Sequence, residues 1–132
     1  MDPKLKGELR SVLVVDDNPR IRRGVCEAFT REGDFDICGE AENGRDAIEK
    51  AQRLHPSLVI MDLSMPVLNG LEATRRLKQW MPHVPVILYS IHGTRSLQAE
   101  AVAAGAVAVV SKSEPVAVLI QKARQVMEQM AA

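Results

Sequence analysis

Five short apolar runs alternate along the chain with five segments of helical periodicity. Each run is too short for a helix and is mostly rich in valine and isoleucine, which is typical of parallel strands covered on both faces. The runs are residues 11–15, 35–41, 58–61, 86–89 and 107–110. The second is more polar than the others, so we expect it at an edge of the sheet. Strict alternation with right-handed crossovers predicts an α/β fold with a doubly wound, five-stranded parallel sheet.

The segments between the runs carry apolar residues at the spacing of one helix face. Their markers are Ile21, Val25, Ala28 and Phe29; Ala47, Ile48, Ala51 and Leu54; Leu71, Thr74, Leu77 and Met81; Leu97 and Ala101; and Val116, Leu119, Ile120, Ala123, Val126, Met127 and Met130. Asn43 and Asn69 each precede an acidic residue by three positions, which predicts helix starts. Gly105 predicts the end of the fourth helix. We expect Trp80 and Met81 to close the core beneath the third helix.

Charge and composition exclude several classes of function. The 17 basic residues balance 17 acidic ones, which argues against a domain that mainly grips nucleic acid or an anionic membrane. A length of 132 residues suits a single domain over 1–132, with a core over about 11–130. No membrane span or signal peptide is expected, so we predict a cytoplasmic location. Cys26 and Cys38 lack metal-ligand spacing and are interpreted as buried, reduced residues.

Polar residues end four of the five predicted strands. Asp16 and Asp17 follow the first strand, Asp62 the third and Ser90 the fourth, while the fifth runs to Lys112. Ligands of open parallel α/β sheets bind outside the carboxyl ends of the strands, so we expect these side chains to converge. Clustered carboxylates repel each other unless a hard cation such as Mg²⁺ relieves the repulsion. Together with a lysine and a hydroxyl, they form the arrangement that phosphoryl transfer to an aspartate needs.

Each of these residues alone has an ordinary structural interpretation. Two acidic residues at a strand end are more often capping or surface charge than a metal site, although Asn18 already supplies the cap here. Asp62 by itself could be a turn residue, and Lys112 a solvated surface lysine. The prediction therefore depends on their occurring together.

The sequence resembles response-regulator receiver domains, the phosphoacceptor modules of two-component signalling. The stretches that carry the likeness are VLVVDDNP, LVIMDLSMPVLNG, VILYS and AAGAVAVVSK, which follow the family's order and spacing from Val12 to Met127. The resemblance implies a flavodoxin-like (βα)5 fold with strand order 2-1-3-4-5. It is closest to the NarL-type class, whose members usually carry a helix-turn-helix DNA-binding domain after the receiver. These 132 residues contain no such domain, and no direct nucleic-acid binding is expected from them.

The same resemblance implies roles for the site residues. Asp62 is the implied phosphoacceptor. Asp16 and Asp17 are implied ligands of Mg²⁺ or Mn²⁺, Asp17 directly, together with Asp62 and the backbone carbonyl of Ser64. The implied partner is a sensor histidine kinase or a phosphotransfer protein, with a homodimer after phosphorylation. The chain is then a signalling phosphoacceptor and not an enzyme with a separate substrate.

Lys112 is implied to pair with the phosphoryl group, and Ser90 to be the switch hydroxyl. The sequence departs from the family pattern at three positions near them. Val109 stands where many receivers have Tyr or Phe, and Ser113 stands where many have proline, so no cis peptide is expected there. Ile91 follows the switch serine where small residues are common, which is expected to narrow access to the phosphoacceptor.

Two further features are interpreted without a strong functional role. Arg20, Arg22 and Arg23 make the first helix basic at its start, which would steer a kinase partner or simply form a solvated face. His92 lies near the predicted pocket, and we interpret it as a loop histidine.

Three alternatives remain from the sequence. A small Mg²⁺-dependent phosphatase that forms an aspartyl phosphate would place a second acid two residues after the nucleophile, whereas Leu63 and Ser64 follow Asp62. A flavin-binding protein would have a first loop rich in Ser, Thr and Gly, whereas DDNPR starts with charges that repel phosphate. A degenerate receiver used only for protein contacts would not need the complete acidic set.

Overall fold

The computed structural model describes residues 9–91 and 94–131 and confirms the predicted order of strands and helices. The elements are β1 (Arg10–Val15), α1 (Pro19–Glu32), β2 (Phe35–Ala41), α2 (Gly44–Leu54), β3 (Leu58–Asp62), α3 (Gly70–Trp80), β4 (Val86–Ser90), α4 (Thr94–Ala104), β5 (Ala108–Ser111) and α5 (Val116–Ala131). The predicted strand ends are correct to within one residue. The interpretation of His92 as a loop histidine concerns a residue outside the described ranges.

The strands form one parallel sheet in the order β2-β1-β3-β4-β5. This is the flavodoxin-like order that the family resemblance implies, and β2 lies at an edge, as its polarity predicts. The pairing of β1 with β2 shifts register at Cys38, because Ile37 pairs with Val12 and Gly39 pairs with Leu13. The carboxyl ends of β1 and β3 are adjacent, so the residues that follow these strands meet at the same edge of the sheet.

Alternate strand residues are buried on opposite faces of the sheet, because successive side chains of a strand point to opposite sides. Val12 and Val14 pack with α1 and α5, whereas Leu13 and Val15 pack with α2, α3 and α4. Helices cover both faces of the sheet, which explains why most of the strands are continuous apolar runs.

The expectation for Trp80 is wrong, because 69% of this residue is exposed. Met81, directly after α3, packs against the core as predicted. Adjacent helix positions differ by about 100° around the axis, so one of these neighbours faces the sheet while the other faces solvent. Val116 and Met130, predicted on the apolar face of α5, are 38% and 51% exposed because they lie at its two ends.

Asparagine side chains cap three helices at their N-termini. Asn18 Oδ1 accepts from the backbone N–H groups of Arg20 and Ile21 at 3.0 and 3.2 Å. Asn43 and Asn69 accept from the backbone N–H three residues later at 2.8 and 2.9 Å, which confirms the predicted helix starts. Gly105 follows α4 with a φ of 98°, a left-handed conformation that favours glycine.

Cys26 and Cys38 are free and half-buried, so the predicted full burial of these residues is wrong. Cys26 packs against the core under α1 and α5, and Cys38 packs against the core on the other face. Burial, reinforced by the charge of Glu40, raises the pKa of the Cys26 thiol to about 11. This thiol is therefore a poor nucleophile near neutral pH.

Candidate functional site

Two buried carboxylates and one lysine meet at the carboxyl edge of the sheet. Lys112 Nζ donates to Asp16 Oδ2 at 2.7 Å and to Asp62 Oδ1 at 2.9 Å. Asp16 and Asp62 are 3% and 6% exposed, whereas Asp17 is exposed to solvent. Each of the three aspartates offers a carboxylate oxygen, and these oxygens lie within 4.8 Å of one another. Such a set of oxygen donors fits a hard divalent cation such as Mg²⁺.

The turn after β1 holds Asp16 through both its backbone and its side chain. The Asp16 N–H donates to the Ala41 carbonyl at 3.0 Å. The backbone N–H of Asn18 donates to Asp16 Oδ1 at 2.9 Å, and Arg22 Nη1 donates to the Asp16 carbonyl at 2.7 Å. Strand periodicity indicates neither the Asn18 contact nor the Arg22 contact, although the basic start of α1 is apparent from the sequence.

Asp62 ends β3, and the loop that follows brings the start of α3 back against the backbone at the end of this strand. The N–H of Gly70, the first residue of α3, donates to the Leu63 carbonyl at 2.8 Å. Between them the chain makes a three-residue turn around Val67, which has a φ of 69°. Ser64 lies exposed in this loop. The start of α3 thus packs against the end of the strand that carries Asp62.

Ser90 ends β4 beside the acidic cluster and is only 1% exposed. It pairs with Ser111 of β5, and its carbonyl accepts from the backbone N–H of Lys112 at 2.7 Å. The preceding residue, Tyr89, is buried on the other face and lies with its ring centroid 5.6 Å from Lys112 Nζ. A cation over an aromatic ring is favourable, so Tyr89 is a contact of Lys112 that strand periodicity did not indicate.

The charges of the cluster shift the pKa values of its members. Burial, together with the negative charge of Asp16, raises the pKa of Asp62 to about 6, although the hydrogen bond from Lys112 acts in the opposite direction. Burial alone would lower the pKa of Lys112, but hydrogen bonds and charges from Asp16 and Asp62 outweigh it and raise that pKa. The lysine stays protonated, and the cluster still has an excess of negative charge that favours a cation.

The structure therefore brings together Asp16, Asp17, Asp62 and Lys112, with Ser90 on the adjacent strand. Ile91 is 69% exposed at the end of β4, and Val109 is half-buried. No cis peptide bond occurs among residues 9–91 and 94–131, which agrees with the expectation at Ser113.

A family profile described as the response regulator receiver domain matches residues 12–124 of the chain. The chain belongs to the response regulator receiver family. It is a receiver domain of two-component signalling, and the phosphatase alternative is not favoured. Receiver domains are phosphoacceptor modules that interact with histidine kinases or phosphotransfer proteins, and they generally bind Mg²⁺ in an acidic site.

Known relatives of this receiver include regulators and a chemotaxis protein. The chain is 39% identical over 117 residues to the transcriptional activator protein ExaE of Pseudomonas putida, covering 88% of the chain and 54% of that protein. It is 37% identical over 97 residues to the chemotaxis protein CheY of Thermotoga maritima, covering 74% and 80%. Its structure resembles that of a LuxR-family two-component response regulator from Aurantimonas sp. SI85-9A1, with a TM-score of 0.87, 28% identity and coverage of 91% and 86%.

The receiver spans only part of several relatives. It covers between 31% and 54% of the length of four of the curated proteins that it matches, two of which are a methylesterase and a transcriptional activator. Among the described residues, no helix is both long enough and apolar enough to cross a membrane.

Proposed function

We propose that this receiver accepts a phosphoryl group on Asp62 from a phosphohistidine of a sensor histidine kinase or phosphotransfer protein. The observation that carries the proposal is the convergence of Asp16, Asp17 and Asp62 with Lys112, whose Nζ lies 2.9 Å from Asp62 Oδ1. The nucleophile, the cation ligands and the positive charge that phosphoryl transfer requires are then within one cluster.

The metal ligands in this proposal are the three aspartates and the backbone carbonyl of Ser64. Their oxygens suit Mg²⁺, with Mn²⁺ as a substitute. A bound divalent cation would neutralise charge on the carboxylates and on the incoming phosphoryl oxygens. Because the pKa of Asp62 is raised by burial and by its acidic neighbours, added positive charge also favours the ionised, nucleophilic form of this carboxyl.

In the transfer step, a carboxylate oxygen of Asp62 forms a bond to phosphorus while the phosphorus–nitrogen bond of the phosphohistidine breaks. The released imidazole nitrogen keeps the bonding electrons. Lys112 already donates to Asp62 and is placed to pair with the phosphoryl oxygens that arrive there. Ser90, buried at the neighbouring strand end, supplies the hydroxyl that responds to the modified aspartate.

We also propose that residues 1–132 act as one receiver domain with a core over about 11–130, and that it works in the cytoplasm, which is consistent with its family. Since the chain spans about half of ExaE, the output of any longer protein that contains this receiver would depend on the domains joined to it. The receiver itself acts as a signalling phosphoacceptor.

Intact-mass spectrometry of the protein treated with acetyl phosphate tests the function. We expect one phosphoryl group per chain with Mg²⁺ or Mn²⁺, and none with excess chelator or in Asp62→Asn. Asp36→Asn is the matched control, because Asp36 is an exposed aspartate of β2 and should not alter labelling. Labelling that persists in Asp62→Asn, or that ignores chelation, would contradict the assignment.

A further inference from the structure

We propose that Arg22 is a positioning residue of the metal site, one that holds the Asp16–Asp17 peptide in its cation-binding orientation. This inference rests on the proposed function, because it concerns the same acidic cluster. Arg22 lies in the first turns of α1 and does not itself contribute a metal ligand.

The guanidinium group of Arg22 connects two parts of the chain. Its Nη1 donates to the backbone carbonyl of Asp16 at 2.7 Å, and its Nε donates to Glu40 Oε1 at 2.9 Å. The Arg22 side chain is 19% exposed and that of Glu40 is 48% exposed. A planar guanidinium presents these donors in a rigid fork, so a bond to Glu40 fixes the direction of the bond to Asp16.

The carbonyl that Arg22 binds belongs to the peptide that joins Asp16 to Asp17. The Asp16 side chain is already held on both oxygens, since Oδ1 accepts from Asn18 and Oδ2 accepts from Lys112. Asp17 is exposed, and the plane of the preceding peptide sets the direction in which its side chain leaves the backbone. Arg22 therefore controls the aspartate of the cluster that burial does not immobilise.

Glu40 is itself anchored to the scaffold near the end of β2. Lys50 of α2 donates to the Glu40 carbonyl and forms an ion pair with Asp46 at 3.2 Å. The Arg22 fork thus attaches the turn after β1 to the neighbouring strand and, through Lys50, to α2. Outer partners of this kind commonly determine how well ligands bind a metal ion.

A purely electrostatic role for Arg22 makes the opposite prediction. A positive charge beside a cation site repels the cation, so removing that charge should increase the affinity for Mg²⁺. Removing a positioning contact should instead decrease the affinity, since Asp17 would no longer be held toward the cluster. An increase in Mg²⁺ affinity would therefore indicate an electrostatic role for Arg22, and a decrease would indicate a positioning role.

The test measures Mg²⁺ affinity of the 132-residue chain by calorimetry and by the backbone NMR shifts of Asp17 and Asp62. We expect Arg22→Met to bind Mg²⁺ on the order of 10-fold more weakly than the unmodified protein. Arg23→Met is the matched control, because Arg23 is the next residue of α1, is exposed, and its side chain makes no hydrogen bond or ion pair with the residues that the structure describes. It should bind Mg²⁺ equally or slightly more tightly.

Arg22→Lys provides a second variant, which keeps the positive charge but removes the planar fork that joins Asp16 to Glu40. A purely electrostatic role predicts unchanged Mg²⁺ affinity in this variant, whereas a positioning role predicts a decrease, so it decides the question if Arg22→Met does not fold. Unchanged or tighter Mg²⁺ binding in Arg22→Met, or unchanged binding in Arg22→Lys when Arg22→Met is unfolded, overturns the positioning role. If the unmodified protein binds no Mg²⁺, the proposed metal site itself is wrong, and this inference is overturned with it.

Discussion

Gly70 packs against the backbone of Asp62 so closely that a Cβ atom at residue 70 would lie 2.0 Å from the Asp62 carbonyl oxygen. The same atom would lie 2.9 Å from the Asp62 carbonyl carbon. Because the obstruction is backbone, no side-chain rotation can relieve it. The absence of a side chain at Gly70 therefore allows α3 to begin directly against the strand that ends in Asp62.

Gly70→Ala should lower the free energy of unfolding by about 3 kcal/mol, because overpacking here can be relieved only by moving β3 or α3. Urea denaturation measures this change. Gly24→Ala is the matched control, since a Cβ at residue 24 in α1 would have nothing within 4 Å. There the better helix propensity of alanine should raise stability by up to about 1 kcal/mol. Equal stability of the two variants would contradict the close contact.

Asp62→Asn should stabilise the metal-free protein near neutral pH, because burial and neighbouring acids raise the pKa of Asp62 from 3.8 to about 6. Between about pH 4 and about pH 6, the Asp62 carboxyl holds its proton more tightly in the folded protein than in the unfolded chain. The contribution of Asp62 to stability therefore falls as the pH rises through this range. We expect a gain on the order of 2 kcal/mol at about pH 7 that shrinks toward about pH 4.

Urea denaturation in the presence of chelator, repeated across this pH range, measures the Asp62→Asn effect. Asp36→Asn, at an exposed position of β2, serves as the control and should show little change. A difference that does not vary with pH, or an Asp62→Asn variant that is less stable near neutrality, would show that the pKa of Asp62 is not raised.

Lys112→Ala should reduce phosphorylation about 100-fold while leaving Mg²⁺ affinity equal or higher. The lysine donates to Asp16 and Asp62, so its removal leaves the carboxylates more negative and more attractive to a cation. Lys122→Ala removes the same charge from α5, where Lys122 contacts Gln125, and should change neither quantity.

Intact-mass labelling and an NMR titration with Mg²⁺ provide the two measurements on Lys112→Ala. Trp80 fluorescence is a poor reporter of Mg²⁺ binding, because Trp80 is exposed and ends a helix of 11 residues that begins beside Asp62. It therefore lies roughly 15 Å along the helix from that end. A large loss of Mg²⁺ affinity in Lys112→Ala would indicate a structural role for the lysine.

The conformational response to phosphorylation should be weak in the strand that carries Val109. This residue occupies the position of the aromatic in many receivers, and valine is stiff about its single side-chain torsion. We expect beryllofluoride with Mg²⁺ to shift the backbone NMR signals of residues 90–93, while those of residues 106–110 respond little.

Movement at the end of β4 should reach residues 111–112 through the hydrogen bond from the Lys112 N–H to the Ser90 carbonyl, at 2.7 Å. The output surface is then expected on α1 and α5.

A comparison of NMR spectra with and without beryllofluoride decides this prediction. Asp62→Asn should show no such shifts, which controls for non-specific binding. Large changes across 106–110 and α4 would show that the switch operates without an aromatic residue on β5.

The strand and helix pattern and the helix caps could be predicted from the sequence alone, because they depend on residues close together in the chain. Side-chain periodicity repeats within a few residues, and Asn43 and Asn69 each bond a backbone group three residues away. The polar strand ends could also be assigned to one edge, since parallel strands direct their carboxyl ends the same way. The convergence of Asp16, Asp62 and Lys112 followed from that rule.

The contacts that shape the site depend on tertiary packing and were not visible in the sequence. Lys112 and Asp16 are separated by 96 positions, so strand order could place them at one edge but could not set a 2.7 Å hydrogen bond. The close approach of Gly70 to Asp62 and the bond from Arg22 to the Asp16 carbonyl depend on how each helix packs against the sheet. Periodicity specifies which face of an element is buried, whereas these distances arise only when whole elements are packed together.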